Sequence, residues 1–435
     1  MRFARRWITA FSSRDLAIPL IAGAVAVRLA FCFLYAGAVD SFDVPALEGE
    51  TLSRAGADGY VQIARTLFES GEYSFGEGMG PAHNRPPVQP FLMLIFGAWS
   101  ARGWLYIWFI GSALISLGYL AALHRLGGLL SLPVVRRNLL LLAAGFHPYL
   151  IFMSKTTTFI GAATLVLTAG ALLFLAIPRH PRTYALLCGF ACGAGILTHG
   201  SFLVLPFVLI VLLLFRREMT IPKRFTAAIL IAIACAATIL PWTARNYRHF
   251  HRIIPSATGA GYQYWIGDAA YFRHEFRGGH LYRERTGRDL GPIVRCGTSD
   301  PAEDAVLVDL AKEQLLRDRL RVVKRLAIGY LAFWAPWDRG AAKSAVSGAL
   351  NYPVVIATLL LFGAAAIRRR LSYGDLALAA MILSFVSVFA FFTAYGSYFS
   401  MIMPLLLLLL ARLASAARPA GTPSPATAPA VTTRG

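Results

Sequence analysis

An aspartate at position 58 opens the amphipathic stretch ADGYVQIARTLFESGEYSF, and an arginine at position 85 opens the rigid sequence NRPPVQP. An acid that can take a proton and a cation that can hold developing negative charge are the minimum for moving a group from a phosphate to a hydroxyl. Three further cations stand in suggestive places: Arg245 in LPWTARNY, Lys155 at the end of HPYLIFMSK, and Arg28 near the middle of an apolar run. Each has a plainer reading beside the chemical one. Aspartate is a favoured helix N-cap, and arginine or lysine at a span end often anchors to lipid headgroups. Arg28 is harder to dismiss, because a charge in mid-membrane is costly and usually functional; it would pair with an acid or line the path of a lipid phosphate.

The elements that must position these residues follow from hydropathy. Tyr60, Ile63, Ala64, Leu67 and Phe68 form one helical stripe after Asp58, and Gly71 supplies the stop. At 57% hydrophobic and 15% charged over 435 residues, the chain reads as a polytopic all-α membrane protein. Apolar runs near 16–37, 104–124, 137–154, 157–177, 183–199, 201–216, 224–241, 350–367, 374–394 and 399–416 predict ten spans, or eleven if the piece after Pro87 also crosses. The net charge of +20 belongs to arginine-rich connectors that mark the cytoplasmic side and meet anionic lipid, so a nucleic-acid partner is disfavoured. MRFARRW ahead of the first run, with no small-residue cleavage pattern after it, predicts an uncleaved anchor.

Two long segments then face the opposite side. The resulting organisation is a membrane module over 1–241 containing a first outer loop at 38–103, a second outer loop at 242–349, C-terminal spans over 350–417, and a Pro/Ala/Thr-rich cytoplasmic tail at 418–435. Of the five cysteines, Cys188, Cys192 and Cys235 lie in spans, Cys32 near a span end, and Cys296 in a loop, so no disulfide framework is expected. The sequence requires no cofactor. A divalent metal is possible, given Asp40, Asp43, Glu48 and Glu50 in the first loop and the His249–His251 pair, but no placed ligand set indicates one.

The order D-x-Y-x-x-x-A-x-x-L-x-x-x-G-x-Y, then R-P-P-x-x-P, resembles the polyprenyl-phosphate-sugar-dependent membrane glycosyltransferases of the GT-C fold. This group includes the protein O-mannosyltransferases of glycosyltransferase family 39, the lipid A aminoarabinose transferases, and the bacterial transferases that decorate lipopolysaccharide core. The residues concerned are Asp58, Tyr60, Ala64, Leu67, Gly71 and Tyr73, followed by Arg85, Pro86, Pro87 and Pro90. PWTARN is similar to the family's P-W-x-x-R-N, and GYQYWIGDAAYF to its G-x-x-x-W-x-G-N, with Asp268 where asparagine is usual. The amphipathic run at 302–334 resembles the family's outer helices. This likeness implies that Asp58 is the general base of an inverting transfer, that Arg85, Arg245, Lys155 and Arg28 hold the donor phosphate, and that Tyr60, His199, Asn246, Trp265 and Asp268 line the substrate pocket.

The implied partners are a polyprenyl-phosphate-sugar donor and an acceptor that is an envelope glycan, a lipid or a protein, met at the periplasmic face of a bacterial inner membrane. The chain departs from the family pattern at Thr158 or Phe159, where an acid is frequent, and at His199 and Ser397, where arginine is frequent. Those departures leave open a retired homologue. A transporter or flippase of lipid-linked saccharides would also explain the spans and Arg28, although no internal repeat of the kind such proteins carry is visible.

Overall fold

The computed structural model describes residues 13–38, 59–76, 79–100, 104–272, 278–287, 301–334, 341–392 and 398–416. Asp58, the acids Asp40, Asp43, Glu48 and Glu50, Cys296, Ser397 and the C-terminal tail lie outside the described residues. Among those described, the secondary structure is helical apart from an isolated antiparallel bridge between Ser74 and Pro81.

The first helix, α1, is Ala17–Ala38, and a short outer helix, α2, is Tyr60–Ser70. Helix α2 ends as its sequence predicts, with Gly71 in the left-handed conformation (φ 76°) donating its N–H to the Leu67 carbonyl. The short α3, Val88–Met93, runs into a π turn at Leu94–Ala98. Then come α4, Trp104–Leu129, α5, Val134–Gly145, α6, Pro148–Met153, α7, Ile160–Ala176, and α8, Pro181–Ile196. A 3-10 turn at Gly200–Val204 leads into α9, Leu205–Leu214, and α10, Ile221–Phe250. The second outer segment supplies α11, Ala260–Tyr271, α12, Gly278–Thr286, α13, Pro301–Arg317, and α14, Arg319–Trp334. The chain closes with α15, Ala341–Ile367, α16, Tyr373–Phe391, and α17, Phe399–Ala416.

Among the described residues, five helices (α1, α4, α10, α16 and α17) are long and apolar enough to cross a membrane. The run at 350–367 lies in the 27-residue α15, with Asn351–Ile367 as its apolar part, and the four remaining expected spans become shorter helices for local reasons. The run at 137–154 is divided by Pro148, which starts a new helix instead of continuing the old one. The run at 201–216 begins as a tight 3-10 turn, and α7 and α8 have 17 and 16 residues. Conversely, α10 does not stop at Pro241; it continues about two and a half turns to Phe250 and carries Trp242, Arg245 and Asn246 on the same helix.

The membrane core packs α8 along α10, α4 against α1 and α7, and α17 against α7, α15 and α16. A stripe of small residues on α8 permits the closest of these approaches: a Cβ on Gly193 would fall 2.4 Å from that of Thr238. Cys188 and Cys192 share this buried face as packing residues. The outer cap, α11 to α14, has a small core of its own around Tyr264, Trp265, Tyr282, Leu307 and Leu310.

Candidate active site at the outer helix ends

Gly59, immediately after Asp58, is the N-cap residue of α2 and has φ 71°. A side chain there would strike the Phe75 ring at 2.6 Å, so a left-handed turn and a close contact both demand glycine. The turn sets Tyr60 beneath Arg85, whose guanidinium carbon lies 5.8 Å from the Tyr60 ring centre.

The backbone carrying Arg85 is fixed from several directions. The Tyr73 hydroxyl donates to the carbonyls of Arg85 and Pro86, both at 3.1 Å. Burial, reinforced by the nearby Tyr60, pushes that hydroxyl well above its ordinary range, so it remains a donor at any working pH. The Val88 N–H donates to the Leu197 carbonyl at 3.0 Å, which docks the start of α3 on the turn that holds His199. Pro86 and Pro87 stiffen the stretch between these ties.

His199 stacks on Phe159 at 4.1 Å, with Phe389 at 5.7 Å and Tyr398 at 6.0 Å completing an aromatic surround. Its Nδ1 accepts from the Ser201 N–H at 3.2 Å, which leaves the proton on Nε2. The imidazole lies in the turn between α8 and the 3-10 segment, where burial, reinforced by the charge of Arg85, pushes its pKa down to about 3. It is therefore a neutral hydrogen-bond donor, not a proton shuttle.

Segment 154–159 forms the facing wall. The Thr157 carbonyl accepts from Gln89 Nε2 at 2.9 Å, and the Thr156 carbonyl from Trp108 Nε1 at 3.0 Å. Lys155 Nζ lies 4.3 Å from the centre of the Phe152 ring. Below this segment is a cavity of about 30 Å³ lined in part by the hydroxyls of Ser112, Ser116, Ser154, Thr156 and Thr158, roomy and polar enough for water.

The other expected site residues make hydrogen bonds within the protein. Arg245 donates to the Ala82 carbonyl at 2.8 Å, the Tyr73 carbonyl at 3.3 Å and the Asn246 side chain at 2.8 Å. Asn246, fully buried, donates in turn to the Ile254 carbonyl at 2.9 Å, so the pair locks the first outer loop to the second. Trp265 and Asp268 are both completely enclosed in the cap. Trp265 Nε1 donates to the Leu307 carbonyl at 3.0 Å, and Asp268 receives Arg321 at 3.1 and 3.0 Å and Arg325 at 3.2 Å.

Arg28, 1% exposed, is buried among the helices and donates to the carbonyls of Ala24, Ala144 and Gly145 and, at 2.7 Å, to Tyr119 Oη. Ala144 and Gly145 end α5, where carbonyls have no partner within the helix, so the arginine caps the end of that helix. His249 and His251 do not join a ligand set: no group of three or more His, Cys, Asp or Glu side chains able to hold a metal occurs among the described residues.

Sequence reasoning missed Arg321 and Arg325, which lie 53 and 57 residues from Asp268. Their i, i+4 spacing on one helix face was the available signal. Gln89, inside the V-Q-P of the double-proline motif, has no feature in the sequence that sets it apart.

No protein-family model matches the chain, and no curated protein is similar to it at a significant level. Solved structures are similar in shape. The oligosaccharyltransferase of Archaeoglobus fulgidus in the apo form superposes with a TM-score of 0.56 at 14% identity, over 92% of this chain and 51% of that one. The same organism's oligosaccharyltransferase AglB, in complex with an inhibitory peptide and a dolichol-phosphate, gives 0.55 at 14% identity over 91% and 50%. ArnT from Cupriavidus metallidurans bound to undecaprenyl phosphate is 18% identical over 82% of this chain and 72% of that one, at a TM-score of 0.36. The chain thus spans about half the length of the two structures it overlays best among these three, and the fold rests on those two. The helix order and this overlay together give the chain the GT-C fold.

Proposed function

We propose that the protein transfers a sugar from a polyprenyl-phosphate donor to an envelope glycan or lipid acceptor at the periplasmic face of the inner membrane. The observation that carries this reading is the cluster at the outer helix ends, where Arg85 is pinned by the Tyr73 hydroxyl beside a neutral His199 in an aromatic surround. A guanidinium on a rigid loop suits a phosphate, which it can meet with paired hydrogen bonds. Aromatic walls suit the apolar faces of a sugar or the first prenyl units.

In this reading the acceptor hydroxyl oxygen attacks the anomeric carbon from the side opposite the phosphate, and its proton passes to the Asp58 carboxylate. The bond from the anomeric carbon to the phosphate oxygen breaks, its electron pair leaves with the phosphate, and Arg85 and Lys155 hold the charge that appears there. The product has inverted configuration. His199 Nε2–H serves as a donor to substrate oxygen, while Arg245, Asn246, Trp265 and Asp268 keep loop and cap in register.

The test is sugar transfer by purified protein in nanodiscs, from a panel of undecaprenyl-phosphoryl sugars to envelope glycan acceptors, comparing wild type with Asp58→Asn. Loss of transfer with retained donor binding supports Asp58 as the base. Equal transfer by both proteins removes Asp58 from the reaction, and wild type that binds donor without turnover on any acceptor supports the retired-homologue alternative.

A further inference from the structure

The Gln89 side chain is fully enclosed, 0% exposed, yet half of its amide is unused. Nε2 donates to the Thr157 carbonyl at 2.9 Å. That bond fixes the orientation of the amide, because only the nitrogen can face a carbonyl. The oxygen, Oε1, has no hydrogen-bond partner among the described residues. Five residues earlier, Asn84 Oδ1 is in the same condition. The two amide oxygens bracket Arg85 in the sequence, within the loop that the proposed function places at the donor.

A buried acceptor without a donor costs about 1–3 kcal/mol, so a native fold keeps one only with a reason. The chemistry of the missing partner is constrained. An amide oxygen attracts O–H or N–H and repels phosphate oxygen, so these acceptors suit a different part of the ligand from the part Arg85 suits. Gln89 also lies between the two walls of the site. Its own helix begins at the His199 turn through the bond from Val88 to Leu197, and its Thr157 partner is two residues from Phe159, which stacks on His199.

From this we infer that Gln89, assisted by Asn84, reads a hydroxyl or amino group on the sugar of the lipid-linked donor, and so divides the double-proline motif into a phosphate-holding arginine and a sugar-reading amide. The inference rests on the donor class proposed above. It makes Gln89 a specificity-determining residue: a site built around a substrate hydroxyl discriminates strongly against an analogue lacking it, because its own buried polar atom is then left unpaired.

The experiment measures binding of bare undecaprenyl phosphate and of undecaprenyl-phosphoryl glucose, galactose, mannose and aminoarabinose to wild type and to Gln89→Met, which keeps chain length and removes the amide. Wild type is expected to bind one sugar-bearing carrier more tightly than the bare phosphate. Gln89→Met is expected to lose on the order of tenfold for that carrier and nothing for bare undecaprenyl phosphate, the latter also showing that the variant is folded. Unchanged sugar preference in Gln89→Met overturns the inference and leaves the acceptor to bound water.

If wild type binds bare undecaprenyl phosphate and shows no sugar preference, this inference alone fails; if it binds none of the carriers, the donor class fails as well. Should Gln89→Met not fold, single-deoxy analogues of the preferred carrier decide the matter with wild type. A loss on the order of tenfold or more at one position supports the inference, and equal binding of all analogues overturns it.

Discussion

The hydroxyl of Tyr73 donates to the main-chain oxygen of Arg85 at 3.1 Å, so a residue just beyond the end of α2 sets the height of the cation twelve residues downstream. Tyr73 also meets Trp242 edge to face at 4.8 Å, and its carbonyl accepts from Arg245. Tyr73→Phe keeps the ring and removes the hydroxyl. It is expected to lower stability by about 1 kcal/mol and to raise the donor KM more than it lowers kcat, as read from thermal unfolding in detergent and from transfer kinetics. An unchanged KM would show that the loop holds Arg85 without that bond.

Arg85 itself distinguishes charge from shape. Arg85→Lys retains the positive charge but not the planar fork, and is expected to reduce donor affinity about tenfold, with Arg85→Ala weaker again. Equal affinity of wild type and Arg85→Ala for undecaprenyl phosphate would move the phosphate elsewhere.

The cap depends on a buried charge cluster. Asp268→Asn leaves Arg321 and Arg325 enclosed without their carboxylate, and a loss of about 3–5 kcal/mol is expected. Hydrogen exchange should report it first in α11 and α14, ahead of the membrane helices. The same region tolerates no added bulk: a Cβ on Gly267 would lie 1.8 Å from the Phe392 carbonyl oxygen, and Gly267→Ala should separate α11 from the end of α16.

His199 predicts a dependence on pH. Its folded pKa, about 3, lies below the ordinary 6.5, so the unfolded chain takes up the proton first as acid is added. The stability it contributes is complete above about pH 6.5 and declines as the pH falls toward 3. Thermal unfolding of wild type against His199→Gln across that window should show a steeper acid decline in wild type; parallel curves would mean that the imidazole is protonated in the folded protein.

Much of the membrane architecture was legible because periodicity and punctuation are local. The stripe from Tyr60 to Phe68 and the stop at Gly71 lie within one helix, and the apolar runs map onto helices. Span lengths were less legible, since Pro148 starts a helix where Pro241 lies within one. The hydrogen-bond partners of Arg28, Arg245 and Asp268 were not legible. Each depends on partners that only the fold brings near: Gly145 for Arg28, Ala82 for Arg245, Arg325 for Asp268. A cation in a sequence announces a need for acceptors without saying whether these are phosphate oxygens or the open ends of helices.

The hold of Arg28 on the end of α5 also bears on how the protein is made. The carbonyl of Gly145 lies 117 residues beyond the arginine, so at ordinary elongation rates roughly 6–23 s separate the synthesis of the two. During that interval the first helix carries a guanidinium without its capping target. Release of α1 into lipid is therefore expected to be costly until α4 and α5 have been synthesised, which favours these three helices leaving together.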